Sequence, residues 1–265
     1  MEPWTKHPMI YEINTWVWLD ELRRKYNIPI TLDNVPQEEW DGIADLKIDA
    51  VWFMGVWERS PAGIAIANQN EDLVADFRRA LPDYRTEDNV GSPYCVRQYR
   101  VDPNLGGPEE LAVARRELAR RGIRLILDFV PNHAAPDHPW VSDHPEFFIH
   151  GNREDLQNDP ASFIEAGGKV IAFGRDPFFP AWPDVLQLNA FHPGLRKAAI
   201  DTLMDITDQC DGIRCDMAML VINAIFERTW GSRAGKKPAA QYWAEVIAAI
   251  KSKYPNFLFM AEAYW

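Results

Sequence analysis

The sequence predicts an α/β fold built around a parallel sheet, and three observations carry that prediction. Short apolar runs alternate with helical patterns, the best-defined helical pattern feeds directly into an apolar run, and no repeat, low-complexity tract or linker interrupts the cycle. The first two apolar runs, MIYEINTWVW (9–18) and DAVWFMGV (49–56), read as strands. Between them an amphipathic stretch starts at Pro36 with Glu38 and Glu39 in its first turn. The clearest helix is GPEELAVARRELARRG: Pro108 at the first helical position, Glu109 and Glu110 beside the positive end of the dipole, Arg115 to Arg121 toward the other end, and Gly122 as the stop. It leads into IRLILDFV (123–130), the third strand. A helix from about Pro193 to Gln209, a strand from Gly212 to Met217, a helical region to about Tyr254 and a last strand FLFMAE complete five β/α units.

One region breaks the rhythm. From Ala134 to Leu188 there is no sustained helical period, and Pro, Asp, His and aromatics crowd together. A long irregular connection inside a compact domain is usually functional, so residues 134–188 are read as a small domain inserted after the third strand. The flanking segments, 1–133 and 189–265, then carry strands one to three and four to five of one larger domain. Trp140, Phe147, Phe148, Phe178, Phe179 and Trp182 are candidates for a sugar-stacking wall, though aromatics in such an excursion more often pack its own core.

Composition narrows the function. With 265 residues, 47% hydrophobic and 25% charged, the chain can bury a large core. A net charge of -11 and a pI near 5.0 argue against a nucleic-acid or anionic-membrane partner. Cys95, Cys210 and Cys215 have no metal-ligand spacing, which points to free thiols in a reducing compartment. The N-terminal MEPWTKHPMI lacks the apolar core of a secretion signal, and no run of about 18 apolar residues is present. A cytoplasmic location is therefore expected.

Charged residues collect at strand ends. The third strand ends in Asp128, Asn132 and His133, the fourth in Arg214 and Asp216, the fifth in Glu262. In DGIRCDMAML the period of two puts Arg214 and Asp216 on one face of an otherwise apolar strand. A structural ion pair is one reading of that pair. Parallel α/β barrels, however, build their active sites at the C-terminal strand ends, so acids at three successive ends converge on one mouth. Arg214 is then expected to hold Asp216 ionised, while Glu262, flanked by Ala261, Ala263, Tyr264 and Trp265, has an apolar setting that favours retaining a proton. One charged and one protonated acid is the two-carboxylate pattern of glycoside hydrolysis.

These segments resemble the signatures of the α-amylase superfamily, glycoside hydrolase family 13: LDFVPNH the first, GIRCDMAML the second and FMAEAYW the third, in the family's order. SPYCVRQYRVDPNLGG (92–107) is similar to its segment after strand two, and WPDVLQLN to the tail of its inserted B domain. The resemblance implies a (β/α)8 TIM barrel, of which this chain carries about five β/α units. It implies Asp216 as nucleophile, Glu262 as general acid/base, Arg214 beside the nucleophile, His133 and Tyr94 on the sugar in the cleavage subsite, and Asp128 ordering that subsite. No cofactor is implied for the chemistry; structural calcium is a candidate through Asn132 and Asp184. The expected substrate is an α-glucan or α-glucoside, cleaved with retention by double displacement.

Met219 and Leu220 stand where starch-cleaving members often carry a Lys-His pair, a departure that leaves open a disaccharide hydrolase, a trehalose-synthase-type isomerase or a glucosyl or maltosyl transferase. Two remoter readings share the strand-end acids. A metal-dependent barrel lyase is disfavoured because Arg214 would face the metal and AVWFMGVWE offers no lysine base. A non-catalytic sugar-binding relative is disfavoured because Asp216 and Glu262 are both kept. The family's fourth signature, a His-Asp pair beyond strand six or seven, has no counterpart here. The expectation is therefore a fragment whose first and fifth strands leave unpaired edges.

Overall fold

The computed structural model describes residues 3–265. In chain order, β1 (Ile10–Asn14) is followed by α1 (Thr15–Tyr26) and α2 (Gln37–Asp45), which lead to β2 (Ala50–Met54). Next come β3 (Trp57–Arg59), α3 (Pro61–Gln69), α4 (Glu71–Ala80), β4 (Val96–Val101), α5 (Pro108–Arg120) and β5 (Arg124–Phe129). The excursion holds β6 (His133–Ala134), α6 (Trp140–Asp143), α7 (Arg153–Asn158), β7 (Phe163–Ala166), β8 (Lys169–Gly174) and β9 (Trp182–Gln187). Then follow α8 (Pro193–Thr207), β10 (Gly212–Cys215), α9 (Asn223–Trp230), α10 (Tyr242–Lys253) and β11 (Leu258–Ala261).

The main sheet has the order β1-β2-β5-β10-β11 and every pairing in it is parallel. Five adjacent strands in chain order, joined by helical crossovers, are the first five units of a (β/α)8 barrel that stays open between β1 and β11. In β5 the residues from Leu125 to Phe129 are all buried, as expected of a parallel strand covered on both faces. α5 begins at Pro108 with Glu109 and Glu110 in its first turn, and Gly122 follows its end with φ +72°.

Two local readings change. The first strand stops at Asn14 rather than running to Trp18, because the Asn14 side chain accepts from the Val17 N–H (3.4 Å) and caps α1. Asparagine capping outweighs the strand preference of Thr15, Trp16 and Val17. The second change is α3 and α4, which fill a stretch after β3 for which the sequence suggested no element.

The excursion folds as an antiparallel sheet in the order β6-β9-β8-β7. Its own core contains Val141, Phe147, Phe148, Ile171, Phe173, Leu186 and Leu188, with Trp140 packed against it. Phe178 and Phe179 stay exposed, and Trp182 meets the His133 ring edge-on at 5.3 Å. Cys95, Cys210 and Cys215 are free and buried. Among the described residues no helix is long and apolar enough to cross a membrane.

Candidate active site

The sheet register lines up the candidate acids. Arg214 pairs with Asp128 across β10 and β5. Past the strand ends the ladder continues: the Asp216 N–H donates to Phe129 O (2.8 Å), the Glu262 N–H to Cys215 O (3.0 Å) and the Ala218 N–H to Glu262 O (2.9 Å). Asp216 therefore lies one residue beyond β10 and Glu262 one beyond β11, side by side at the C-terminal end of the sheet.

Arg214 joins them. Its Nη1 donates to Asp216 Oδ1 at 2.7 Å and its Nη2 meets Glu262 Oε1 at 2.5 Å. The guanidinium lies between two rings, 5.0 Å from the Trp52 centroid and 4.9 Å from that of Tyr94. Such sandwiching fixes a planar cation and limits its access to water. Trp52 in turn donates to Asp128 Oδ1 (3.1 Å), whose Oδ2 accepts from the Gly55 N–H (2.8 Å).

The cavity above Arg214 has a volume of about 300 Å³. Tyr94, His133, Asp184, Asp216 and Glu262 line it, with Ser92, Trp182, Val185, Met217 and Tyr264. His133 Nε2 stands 4.0 Å from Asp216 Oδ2, and burial drives its ring down to about 4, a neutral imidazole at physiological pH, against an opposing hydrogen bond to the Tyr94 backbone. A second cavity of about 450 Å³, between α3, α4 and β9, shares Ser92, Trp182 and Asp184 with the first.

Three expectations need correction. Asp216 is not held in the ordinary carboxylate range: burial pushes it up to about 7, and Arg214 only partly offsets this, with nearby Glu262 adding to the rise. Glu262 does not have an apolar setting; besides Arg214 it accepts from the Met217 N–H (2.8 Å) and the Tyr264 hydroxyl (2.5 Å). Asp128 does not reach the cavity. It is fully buried beside Arg214 in the register, held by Trp52 and the Gly55 N–H, and burial raises it to about 7. Met219 and Leu220 are also buried and stand outside the cavity wall, which places the departure from the Lys-His pair in the packing.

The two candidate calcium ligands stand in different surroundings. Asn132 is buried, and its Oδ1 accepts from Gln187 Nε2 at 3.0 Å. Asp184 faces the two cavities, where burial raises its carboxyl. Among the described residues no group of three or more His, Cys, Asp or Glu is placed to hold a metal ion.

Three contributors were missed from sequence. Trp52 was readable from its inward phase in β2, between the buried Val51 and Phe53. The backbone of Met217, in the left-handed region at φ 44°, ψ 45°, aims its N–H at Glu262, and no sequence signal marks a non-glycine residue for that conformation. Gln187 lies within WPDVLQLN, the segment similar to the B-domain tail, but was given no role there.

Comparison with known proteins agrees with this geometry. The family described as alpha amylase, catalytic domain, matches residues 37–265. A trehalose synthase/amylase of Mycolicibacterium smegmatis is 24% identical over 287 aligned residues, covering 98% of this chain and 40% of that protein. An alpha-1,4-glucan:maltose-1-phosphate maltosyltransferase of Bifidobacterium longum is 26% identical over 185 residues, covering 67% of this chain and 20% of that protein. Among solved structures, an alpha-amylase from Lactobacillus plantarum superposes with a TM-score of 0.60 at 22% identity over 97% of this chain and 45% of its own. The trehalose-6-phosphate hydrolase of Bacillus licheniformis gives 0.62 at 17% identity, over 98% and 45%. The chain thus spans a fifth to two fifths of these curated relatives and under half of these structures. With the family matched from Gln37 to Trp265 and five barrel strands in place, the chain belongs to the α-amylase family and carries the N-terminal portion of its catalytic domain.

Proposed function

We propose that this chain supplies the nucleophile and the general acid/base of a retaining enzyme that cleaves α-glucosidic bonds. The observation that carries the reading is the single guanidinium of Arg214 bridging Asp216 and Glu262 on the floor of the cavity. Asp216 attacks the anomeric carbon while Glu262 gives its proton to the leaving oxygen. Water or a sugar hydroxyl, deprotonated by Glu262, then releases the glycosyl group from Asp216. Arg214 favours the ionised Asp216 that the attack requires, against the burial that raises it.

Tyr94 offers a ring face and His133 an imidazole to the sugar bound above Asp216, and Asp128 holds Arg214 in place through the floor. The adjoining cavity favours a substrate longer than one sugar, because Trp182 and Asp184 form part of both walls. The trehalose synthase and maltosyltransferase relatives keep transfer and isomerisation open beside hydrolysis. The reducing environment read from the free thiols supports a cytoplasmic enzyme.

The test is the product spectrum of the full-length protein on maltose, maltotriose and trehalose, with the first-formed anomer followed by NMR. Retention with water as acceptor marks a hydrolase, and retention with a new disaccharide or longer glucan marks transfer. An inverted product, or no turnover of any α-glucoside, would sink the reading.

A further inference from the structure

The place where family resemblance would admit calcium is filled by a side-chain amide. Gln187, at the end of β9, is fully buried. Its Nε2 donates toward three oxygens: Asn132 O at 2.9 Å, Asn132 Oδ1 at 3.0 Å and Leu188 O at 3.0 Å. Its Oε1 accepts from the Arg175 N–H at 3.3 Å and lies 3.4 Å from Asn132 Nδ2. Several carbonyl oxygens converging on one point is the environment a hard cation takes, but calcium needs contacts of about 2.3–2.6 Å and several more oxygens. Here the oxygens stand at hydrogen-bond distance from a nitrogen.

The amide also sits where it can control the active site. Gln187 is the cross-strand partner of His133 in the β6–β9 pairing, and the Leu188 N–H donates to Asn132 O at 3.0 Å. Asn132 Nδ2 lies 3.3 Å from His133 Nδ1, and the other ring nitrogen faces Asp216. Losing the amide would take a donor from three buried oxygens, of which Asn132 O alone keeps the Leu188 N–H, a heavier cost than losing one exposed hydrogen bond.

We infer that Gln187 does in this protein what a structural cation would do: its amide pins the Asn132–His133 segment to β9 and, acting through Asn132, positions His133 in the cavity. The role of His133 in catalysis rests on the proposed function; the pinning does not. Gln187 is a positioning residue in this account, since it lies outside the cavity wall.

Thermal unfolding and the ring 1H–15N correlations of His133 test this in the full-length protein without substrate, so a failure of the proposed chemistry cannot be mistaken for a failure here. Wild type should unfold at the same temperature in millimolar calcium chloride and in excess chelator, whereas a structural ion at a hundredfold over its Kd would shift Tm by roughly 5–10 °C. Gln187→Met keeps length and bulk, and should lower Tm by on the order of 5 °C with or without calcium while moving the His133 signals. Gln187→Asp withdraws the group by one methylene and adds a carboxylate. It should acquire a calcium-dependent rise in Tm, and it serves as the test if the Met variant fails to fold. A calcium-stabilised wild type, or an Asp variant indifferent to calcium, overturns the replacement. A Met variant with lowered Tm but unmoved His133 signals overturns the positioning.

Discussion

The two carboxylates at the heart of the site stand at the ends of neighbouring strands, yet their surroundings are opposites. Asp216 follows β10, an interior strand with every residue buried, and is itself 3% exposed. Glu262 follows β11, an edge strand with no buried residue, and its side chain is 16% exposed. Asp216 is governed by depth: burial lifts its pKa against the pull of Arg214. Glu262 is governed by partners: Arg214, the Met217 N–H and the Tyr264 hydroxyl converge on it from three sides. The same cation therefore serves two purposes, partly restoring charge to a buried acid and orienting an accessible one. The contrast extends to the sheet, where β2, β5 and β10 have neighbours on both sides and β1 and β11 on one.

The largest effect that could break this comparison is on turnover. In the full-length protein, Asp216→Asn and Glu262→Gln should each lower kcat by roughly 10⁴-fold or more, the scale for removing a nucleophile or its acid. Azide, a small external nucleophile, should rescue the two variants differently if their roles differ. Equal and modest losses would mean that the acids are exchangeable or structural. Next in size is the dynamics of the sheet. Amides of β5 and β10 in residues 1–265 alone should exchange more slowly than those of β1 and β11 by at least roughly a hundredfold, because local opening energies range from near zero to the global value. Extension by three further β/α units should protect the edges, and uniform exchange without that extension would contradict an open barrel.

Smaller shifts sharpen the electrostatic half. Arg214→Ala removes the charge that lowers Asp216, so the acidic limb of the pH profile should move up by about one pH unit. An unmoved limb would confine Arg214 to orienting Glu262. Asp216→Asn should also stabilise the fold. The folded carboxyl, near 7, keeps its proton after the unfolded one, near 3.8, has lost it, so the wild type loses stability as pH rises between those values and carries the full penalty above pH 7. The gain in the Asn variant should be fully present at pH 8 and vanish toward pH 4, read from denaturant unfolding.

Strand-end chemistry was legible in the sequence because the period of two and the five β/α units fix which residues reach the mouth. Asp216, His133 and Glu262 line the cavity and Arg214 joins the two acids, whereas Tyr94, in the turn before β4, was singled out by the family resemblance alone. What was not legible depends on depth and on backbone conformation. Neighbouring letters suggested an ionised Asp216 and an apolar Glu262, but burial is set by strands distant in sequence, and the partners of Glu262 include a backbone N–H turned toward it by the left-handed Met217. Asp128 shows the same limit: strand position puts it under the mouth, and only the packing of Trp52 and Gly55 shows that it stops short of it. Gln187 carries no charge, and the WPDVLQLN resemblance gave it no role, so its contacts to Asn132 emerge only when β6 meets β9.

The most direct test of the assignment is covalent trapping. The full-length protein would be incubated with an activated fluorinated α-glucosyl substrate that forms the glycosyl-enzyme faster than it is released, then digested and mapped by mass spectrometry. The account predicts a single label on the peptide carrying Asp216, abolished by Asp216→Asn and strongly slowed by Glu262→Gln when the leaving group is a sugar. A label on Glu262 or Asp128, or an Asp216→Asn variant that still labels, would contradict it.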